Sequence, residues 1–157
     1  MKRTIELNGV LSNEDSLTSE EMKDRIKVLN LLIEEEGPLP VDKCNKINSF
    51  DELVKKGKFV LNEDGTMINF AYPISALPTA HRVTLDDGRG FFSMCAIDSL
   101  GSYFTFWQNL EINSSCSVTG EPIVVKVEDG KISYKNVENI HCIHVNLNEF
   151  EDWSASC

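Results

Sequence analysis

The pattern of hydrophobic and polar positions begins with a polar arm over residues 1–17 and then predicts an amphipathic helix from about Ser19 to Glu36. Four apolar residues recur there at spacings of four, three and four, which places them on one helical face: Met22, Ile26, Leu29 and Ile33. Thr18 and Glu21 have the spacing of a capping box at the helix start. Gly37, followed by a proline, ends the helix because proline cannot continue the hydrogen-bonding pattern.

The next stretch predicts two short helices and a hairpin. Residues 41–47 predict the first helix, and Ser49 with Glu52 repeats the capping-box spacing for the second. Strand-like runs over residues 58–61 and 67–72 then flank an Asp-Gly turn, which is a hairpin signal. A long helix, two short helices and a hairpin follow one another in this way in a winged helix.

Beyond Tyr72 the pattern becomes mostly β, after a stretch with two prolines that reads as an irregular linker. Several β-rich runs are bounded by turn residues: 81–85, 89–92, 110–112, 123–127, 131–134 and 143–147. The apolar segment 94–100 predicts one short helix ended by Gly101. The sequence therefore predicts an α+β fold. A winged-helix-like three-helix module with a hairpin over residues 18–72 precedes a mostly β domain with one short helix over residues 73–157.

Charge changes the functional reading of the first part. The chain has 15 Lys+Arg against 25 Asp+Glu, a formal net charge of −10. The short-helix region 41–56 carries four lysines against three carboxylates, which is too weak a positive charge to hold a phosphate backbone. We therefore expect no nucleic acid and no anionic membrane as partner, and interpret the winged-helix-like part as a packing module.

The five cysteines are expected to be reduced. The N-terminus lacks the apolar core of a signal peptide, and no run approaches the ~20 apolar residues that span a bilayer. These features predict a cytoplasmic protein, where thiols act as metal ligands, nucleophiles or small core residues. Cys44 and Cys142 are interpreted as packing residues, and Cys116 as a structural residue of a turn.

Two segments could carry chemistry. Cys95 and Asp98 have a spacing of i, i+3, which on a helical turn places a thiol and a carboxylate on one face. A carboxylate does not activate a neighbouring thiol as a nucleophile, but the pair suits a soft metal on sulfur with an acid that moves a proton. Packing alone also explains it. The segment 141–144, His-Cys-Ile-His, lacks the further ligands of a closed metal site and is favoured as an ordinary strand.

Three stretches in series resemble the organomercurial (alkylmercury) lyases. They are residues 72–101 with Cys-Ala-Ile-Asp, residues 114–127 with Ser-Ser-Cys-Ser-Val-Thr-Gly-Glu-Pro, and the final Asp-Trp-Ser-Ala-Ser-Cys of 152–157. The winged-helix-like region also resembles the N-terminal part of that family. Against the family, the sequence is expected to be shortened at its C-terminus, directly after Cys157.

The resemblance implies that the protein cleaves the carbon–mercury bond of R–Hg⁺ by protonolysis, giving R–H and Hg²⁺. Cys95 and Cys157 would bind the mercury and Asp98 would relay the proton, since soft Hg²⁺ prefers thiolates. No cofactor is implied, Hg²⁺ being the bound product, and an external thiol or a mercuric reductase would accept it. An apolar wall is expected to surround Asp98 and receive the organic group: Phe91, Phe92, Met94 and Ile97.

Two other functions remain open at this point. The chain could bind mercury or another soft metal without turnover, or it could be a metal-sensing winged-helix regulator. If the chain ends at Cys157, its terminal carboxylate is expected to disfavour the Cys157 thiolate and to lower lyase activity. The sequence does not indicate an oligomeric state.

Overall fold

The computed structural model describes residues 17–135 and 138–142. Its helical elements are α1 (Ser19–Glu35), a 3₁₀ turn (Val41–Cys44), α2 (Phe50–Lys55) and α3 (Ala96–Phe106). Its strands are β1 (Leu39–Pro40), β2 (Val60–Leu61), β3 (Met67–Ala71), β4 (Ile74–Ser75), β5 (His81–Leu85), β6 (Gly90–Ser93), β7 (Leu110–Ser115), β8 (Pro122–Glu128) and β9 (Lys131–Lys135). The predicted α+β class is confirmed.

All strands of the described part join one antiparallel sheet. Their order is β1-β3-β4-β6-β5-β7-β8-β9, with β2 also paired to β3. Ala71 pairs with Ile74, and Ile74 pairs with Ser93, so the sheet runs without a break past the boundary expected after residue 72. One hydrophobic core also draws on both sides of that boundary. The division into parts 18–72 and 73–157 stays a prediction, as does the winged-helix assignment.

Helix α1 begins as its capping residues predict. The Thr18 N–H donates to Glu21 Oε2 at 2.7 Å, and the Glu21 N–H donates to Thr18 Oγ1 at 3.2 Å. These two bonds satisfy amides that have no partner inside the helix. The buried apolar face comprises Val28, Leu29, Leu32 and Ile33.

The predicted stripe of α1 is wrong at its first member, because Met22 is 54% exposed. Glu21 and Asp24 are buried near the start of the helix instead. Their charges are compensated: Glu21 binds the Lys56 ammonium group, and Asp24 binds that of Lys27. Paired carboxylates tolerate burial where hydropathy alone predicts an apolar residue.

The second predicted capping box is also wrong. The Ser49 side chain caps nothing, and its N–H donates to Asp24 Oδ2 at 3.0 Å. A contact between residues 25 positions apart thus replaces the local bond that the Ser49–Glu52 spacing predicted. Helix α2 still forms there, while the helix expected over 41–47 is limited to the 3₁₀ turn.

Two corrections concern the region that leads to the site. The stretch expected to be an irregular linker contains β4, whose Ile74 and Ser75 are both buried between β3 and β6. Helix α3 does not end at Gly101 but continues to Phe106, followed by Trp107 with a φ of 51°. Gly101 serves a tertiary contact with Tyr72 rather than a helix end.

Helix α3 packs against β5, β6 and β7 and presents its N-terminus at the end of β6. Within residues 17–135 and 138–142, no helix has the length and apolarity needed to cross a bilayer.

Candidate functional site

The N-terminus of α3 places the Cys95 thiol. Strand β6 ends at Ser93, and Cys95 is extended, with φ −145° and ψ 178°, as the N-cap of the helix. Its carbonyl accepts the Ser99 N–H at 3.0 Å, which begins the helical hydrogen bonds. The unpaired amides of a helix N-terminus carry partial positive charge, so this position favours a thiolate or another anion.

Asp98 lies in the first turn of α3 and forms a hydrogen-bonded pair with Cys95. Both the thiol and the backbone N–H of Cys95 donate to its carboxylate. The residue is only 7% exposed, and burial raises the pKa of the carboxyl despite the opposing effect of those hydrogen bonds. The i, i+3 spacing thus brings together a thiol and a carboxyl whose pKa is raised above its ordinary value.

A second thiol lies near this pair. Cys142 is exposed at the surface, in contrast to the packing role expected from the sequence. Partial burial of its thiol raises its pKa, and the negative charge of Asp98 raises it further. Cys142 is 44 positions from Asp98, so no local spacing signals their proximity. The only sequence feature that drew attention to Cys142 is the His-Cys-Ile-His segment of residues 141–144.

Tyr72 is a further member of the site, and no sequence pattern pointed to it. Burial raises the pKa of its hydroxyl, and the charges of Asp98 and Cys95 add to the rise while Arg25 opposes it. The phenol therefore stays protonated beside the thiol–carboxyl pair. Its position depends on the turn between β3 and β4, which the sequence presented as a linker.

The other residues that the sequence assigned to the site differ in their positions and exposure. Cys157 lies outside the described residues, so its role stays a prediction. Of the expected apolar wall, Phe91 and Met94 are buried in the interior, and the Phe92 ring lies under the Arg82 guanidinium at 4.9 Å. Ile97 is 40% exposed and is available beside the pair.

The remaining described cysteines have structural positions. Cys44 belongs to the hydrophobic core. Cys116 lies in a tight turn, where its carbonyl accepts the Gly120 N–H and its N–H donates to the Glu121 carbonyl, each at 2.8 Å. Hydrogen bonds from Thr119 and Val118 lower the pKa of the Cys116 thiol. No disulfide bond joins any two of the four described cysteines.

The described residues hold no cluster of three or more histidine, cysteine or acidic side chains that could bind a metal ion. His141 of the flagged segment is described and exposed, and His144 lies outside the described part. The site consists of one thiol–carboxyl pair, a second thiol near the carboxyl and a phenol. This arrangement can hold a soft cation on sulfur and transfer a proton at the same place.

A family model and two relatives of similar sequence agree with the sequence resemblance. The family model "MerB: Alkylmercury lyase" matches residues 74–157, more than half of the chain. The alkylmercury lyases of Bacillus cereus and of Clostridium butyricum are each 32% identical to the chain over 72 residues. That match spans 46% of this chain and 32% of each relative, about a third of their length. A solved structure described as the mercury-bound form of MerB2 is 24% identical to this chain. The match covers 74% of this chain and 66% of the chain in that structure, with a TM-score of 0.48.

Proposed function

Because the chain belongs to the alkylmercury lyase family, we propose that it cleaves the carbon–mercury bond of an R–Hg⁺ species, releasing R–H and keeping Hg²⁺ on cysteine sulfur. The observation that carries this proposal is the buried Asp98 carboxyl, hydrogen-bonded to the Cys95 thiol within the matched region.

Cys95 makes the first bond to mercury. Its thiol proton passes to the Asp98 carboxylate, which already accepts a hydrogen bond from that thiol. The thiolate then binds the mercury of R–Hg⁺, because a soft cation prefers sulfur to oxygen or nitrogen. The helix N-terminus at Cys95 favours the thiolate during this step.

Asp98 then protonates carbon. The second thiol loses its proton to solvent as it binds the mercury. Two thiolates on mercury increase the electron density on the attached carbon, which becomes basic enough to take the proton held by Asp98. The electron pair of the carbon–mercury bond forms the new C–H bond, and Hg²⁺ stays on the two sulfurs. A raised pKa suits this role because the carboxyl keeps its proton until the carbon accepts it.

The identity of the second thiol is a separate proposal. The sequence resemblance assigns it to Cys157, whereas the electrostatic effect of Asp98 on the Cys142 thiol supports Cys142. We propose Cys157 as the second ligand on the strength of the resemblance, with Cys142 as the alternative that lies near Asp98.

The wider setting follows from the same chemistry. We propose a cytoplasmic protein whose Hg²⁺ leaves to an external thiol or to a mercuric reductase, because a competing soft thiolate is the ligand that can take Hg²⁺ from cysteine sulfur. The first part, residues 18–72, is proposed as a winged-helix-like packing module that does not bind DNA, because its short-helix region carries only four lysines against three carboxylates.

Release of hydrocarbon tests the lyase proposal. The purified chain, in excess thiol, is incubated with methylmercury or phenylmercury, and methane or benzene is measured by gas chromatography. Cys95→Ser is expected to abolish release, and Cys116→Ser, a matched change outside the pair, is expected to retain it. Release that is absent from the parent chain, or unaffected by Cys95→Ser, contradicts the proposal. Stoichiometric Hg²⁺ binding without release would identify a binding protein.

The second thiol is tested in parallel by Cys142→Ser and Cys157→Ser. Only the variant that lacks a mercury ligand should lose both turnover and tight retention of Hg²⁺ against a competing thiol. Loss in Cys142→Ser with retention in Cys157→Ser would contradict the assignment to Cys157 and identify Cys142 as the ligand.

A further inference from the structure

The Tyr72 side chain lies directly against the backbone of α3. A Cβ atom at Gly101 would come within 2.2 Å of Tyr72 Oη and 3.2 Å of its Cζ. No side chain can occupy that space without moving the phenol. Gly101, although it lies inside a helix where glycine is unfavourable, therefore lets the ring approach the helix.

Arg25 of α1 holds the other side of Tyr72. Its Nη2 donates a hydrogen bond to the Tyr72 carbonyl oxygen, and its guanidinium carbon lies 5.6 Å from the centre of the tyrosine ring. The first contact fixes the backbone, and the second is a cation–π contact that fixes the ring. The phenol is thus clamped between two helices.

The clamped ring borders the reacting pair. Ile97 and Asp98 precede Gly101 by four and three positions in α3, and residues at these spacings are neighbours on a helix surface. Tyr72 is 39% exposed and Ile97 is 40% exposed. Both side chains therefore keep solvent-exposed surface beside the thiol and carboxyl.

We propose that Tyr72 is a specificity-determining residue, whose ring, held by Arg25 over Gly101, is the wall that contacts the organic group of R–Hg⁺. The inference rests on the proposed function and adds the substrate class: flat aromatic groups are preferred to methyl. A phenyl group can stack on the ring, whereas a methyl group covers little of it. The Tyr72 ring takes the place that the sequence assigned to Phe91 and Met94.

The test is the ratio of kcat/KM for phenylmercury to that for methylmercury. Tyr72→Ala should lower this ratio about tenfold, mainly through KM for phenylmercury, as expected for the loss of one aromatic contact and the apolar area around it. Tyr72→Phe keeps the ring and should keep the ratio. Tyr134→Ala is the matched control, since that tyrosine is 41% exposed on β9.

A double-mutant cycle tests the clamp itself. Gly101→Ala should lower the ratio in the parent chain, because its Cβ displaces the phenol. The same change in the Tyr72→Ala background should have no further effect, since nothing is left to displace. The inference is wrong if the effects of Tyr72→Ala and Gly101→Ala on the ratio are additive. It is also wrong if Tyr72→Ala leaves the ratio unchanged or lowers kcat/KM equally for both substrates.

Binding measurements test the role of Tyr72 independently of the lyase proposal. Calorimetric titration with phenylmercury, methylmercury and Hg²⁺ gives the same selectivity ratio without turnover. If the parent chain releases no hydrocarbon, the lyase proposal fails. In that case, a Tyr72→Ala variant that loses affinity for phenylmercury but keeps its affinity for Hg²⁺ still supports the contact between Tyr72 and the organic group. Equal losses of affinity for phenylmercury and Hg²⁺ contradict it.

Discussion

Replacement of Asp98 by asparagine should separate activity from stability. Asparagine has nearly the same size and can still accept the Cys95 N–H, but it has no proton to give to carbon. General acid catalysis typically contributes about 10²–10⁴-fold, so Asp98→Asn should lower the rate of hydrocarbon release by about that factor. Mercury binding by the thiols should remain, because the sulfur ligands are unchanged.

Asp98→Asn should lower activity but should not lower the stability of the fold at high pH. Burial raises the pKa of Asp98 in the folded protein above its ordinary value. The folded state therefore binds the proton more tightly than the unfolded chain, and the free energy of unfolding falls as pH rises from the unfolded to the folded pKa. Each unit of that rise corresponds to about 1.4 kcal/mol. At pH 8 the carboxylate is buried at a cost that asparagine does not have.

Two measurements check this pair of effects. Urea unfolding at pH 8 should show Asp98→Asn at least as stable as the parent, while the difference should shrink or reverse at pH 4. Gas chromatography of the same preparations should show the loss of turnover. A variant that keeps its activity within tenfold, or one that is less stable than the parent at pH 8 but not at pH 4, would refute the reasoning.

Three further changes test the scaffold, each by urea or thermal unfolding. Thr18→Ala should destabilise the chain by about 0.5–2 kcal/mol, because it removes the capping bond to the Glu21 N–H, whereas Thr18→Ser should retain most of that stability. Ile68→Ala, at a fully buried position of β3, should cost about 2–5 kcal/mol, and Ile68→Val about 0.5–1.5 kcal/mol; equal costs would contradict a close-packed core there. Burial lowers the pKa of His81, so the unfolded chain binds its proton more tightly and stability should fall as pH drops below about 6.5. His81→Gln should reduce that dependence, and an identical pH profile would count against it.

Local sequence patterns predicted most of the elements. The capping box at Thr18 and the Asp-Gly turns act within a few residues, so the chain shows them directly. Two of the differences from these local patterns involve contacts between distant residues. Asp24 accepts the Ser49 N–H in place of the expected local cap, and Gly101 lies against Tyr72 inside a helix that continues to Phe106.

By itself, the sequence determined the α+β class, the family resemblance and the Cys95–Asp98 pair, because a helical turn places residues i and i+3 on one face. Only the tertiary structure decided that Cys142 comes near Asp98 and that Tyr72 rests on α3 under Arg25. These contacts join residues tens of positions apart. Their formation depends on how the helices pack around the sheet, which no spacing along the chain encodes.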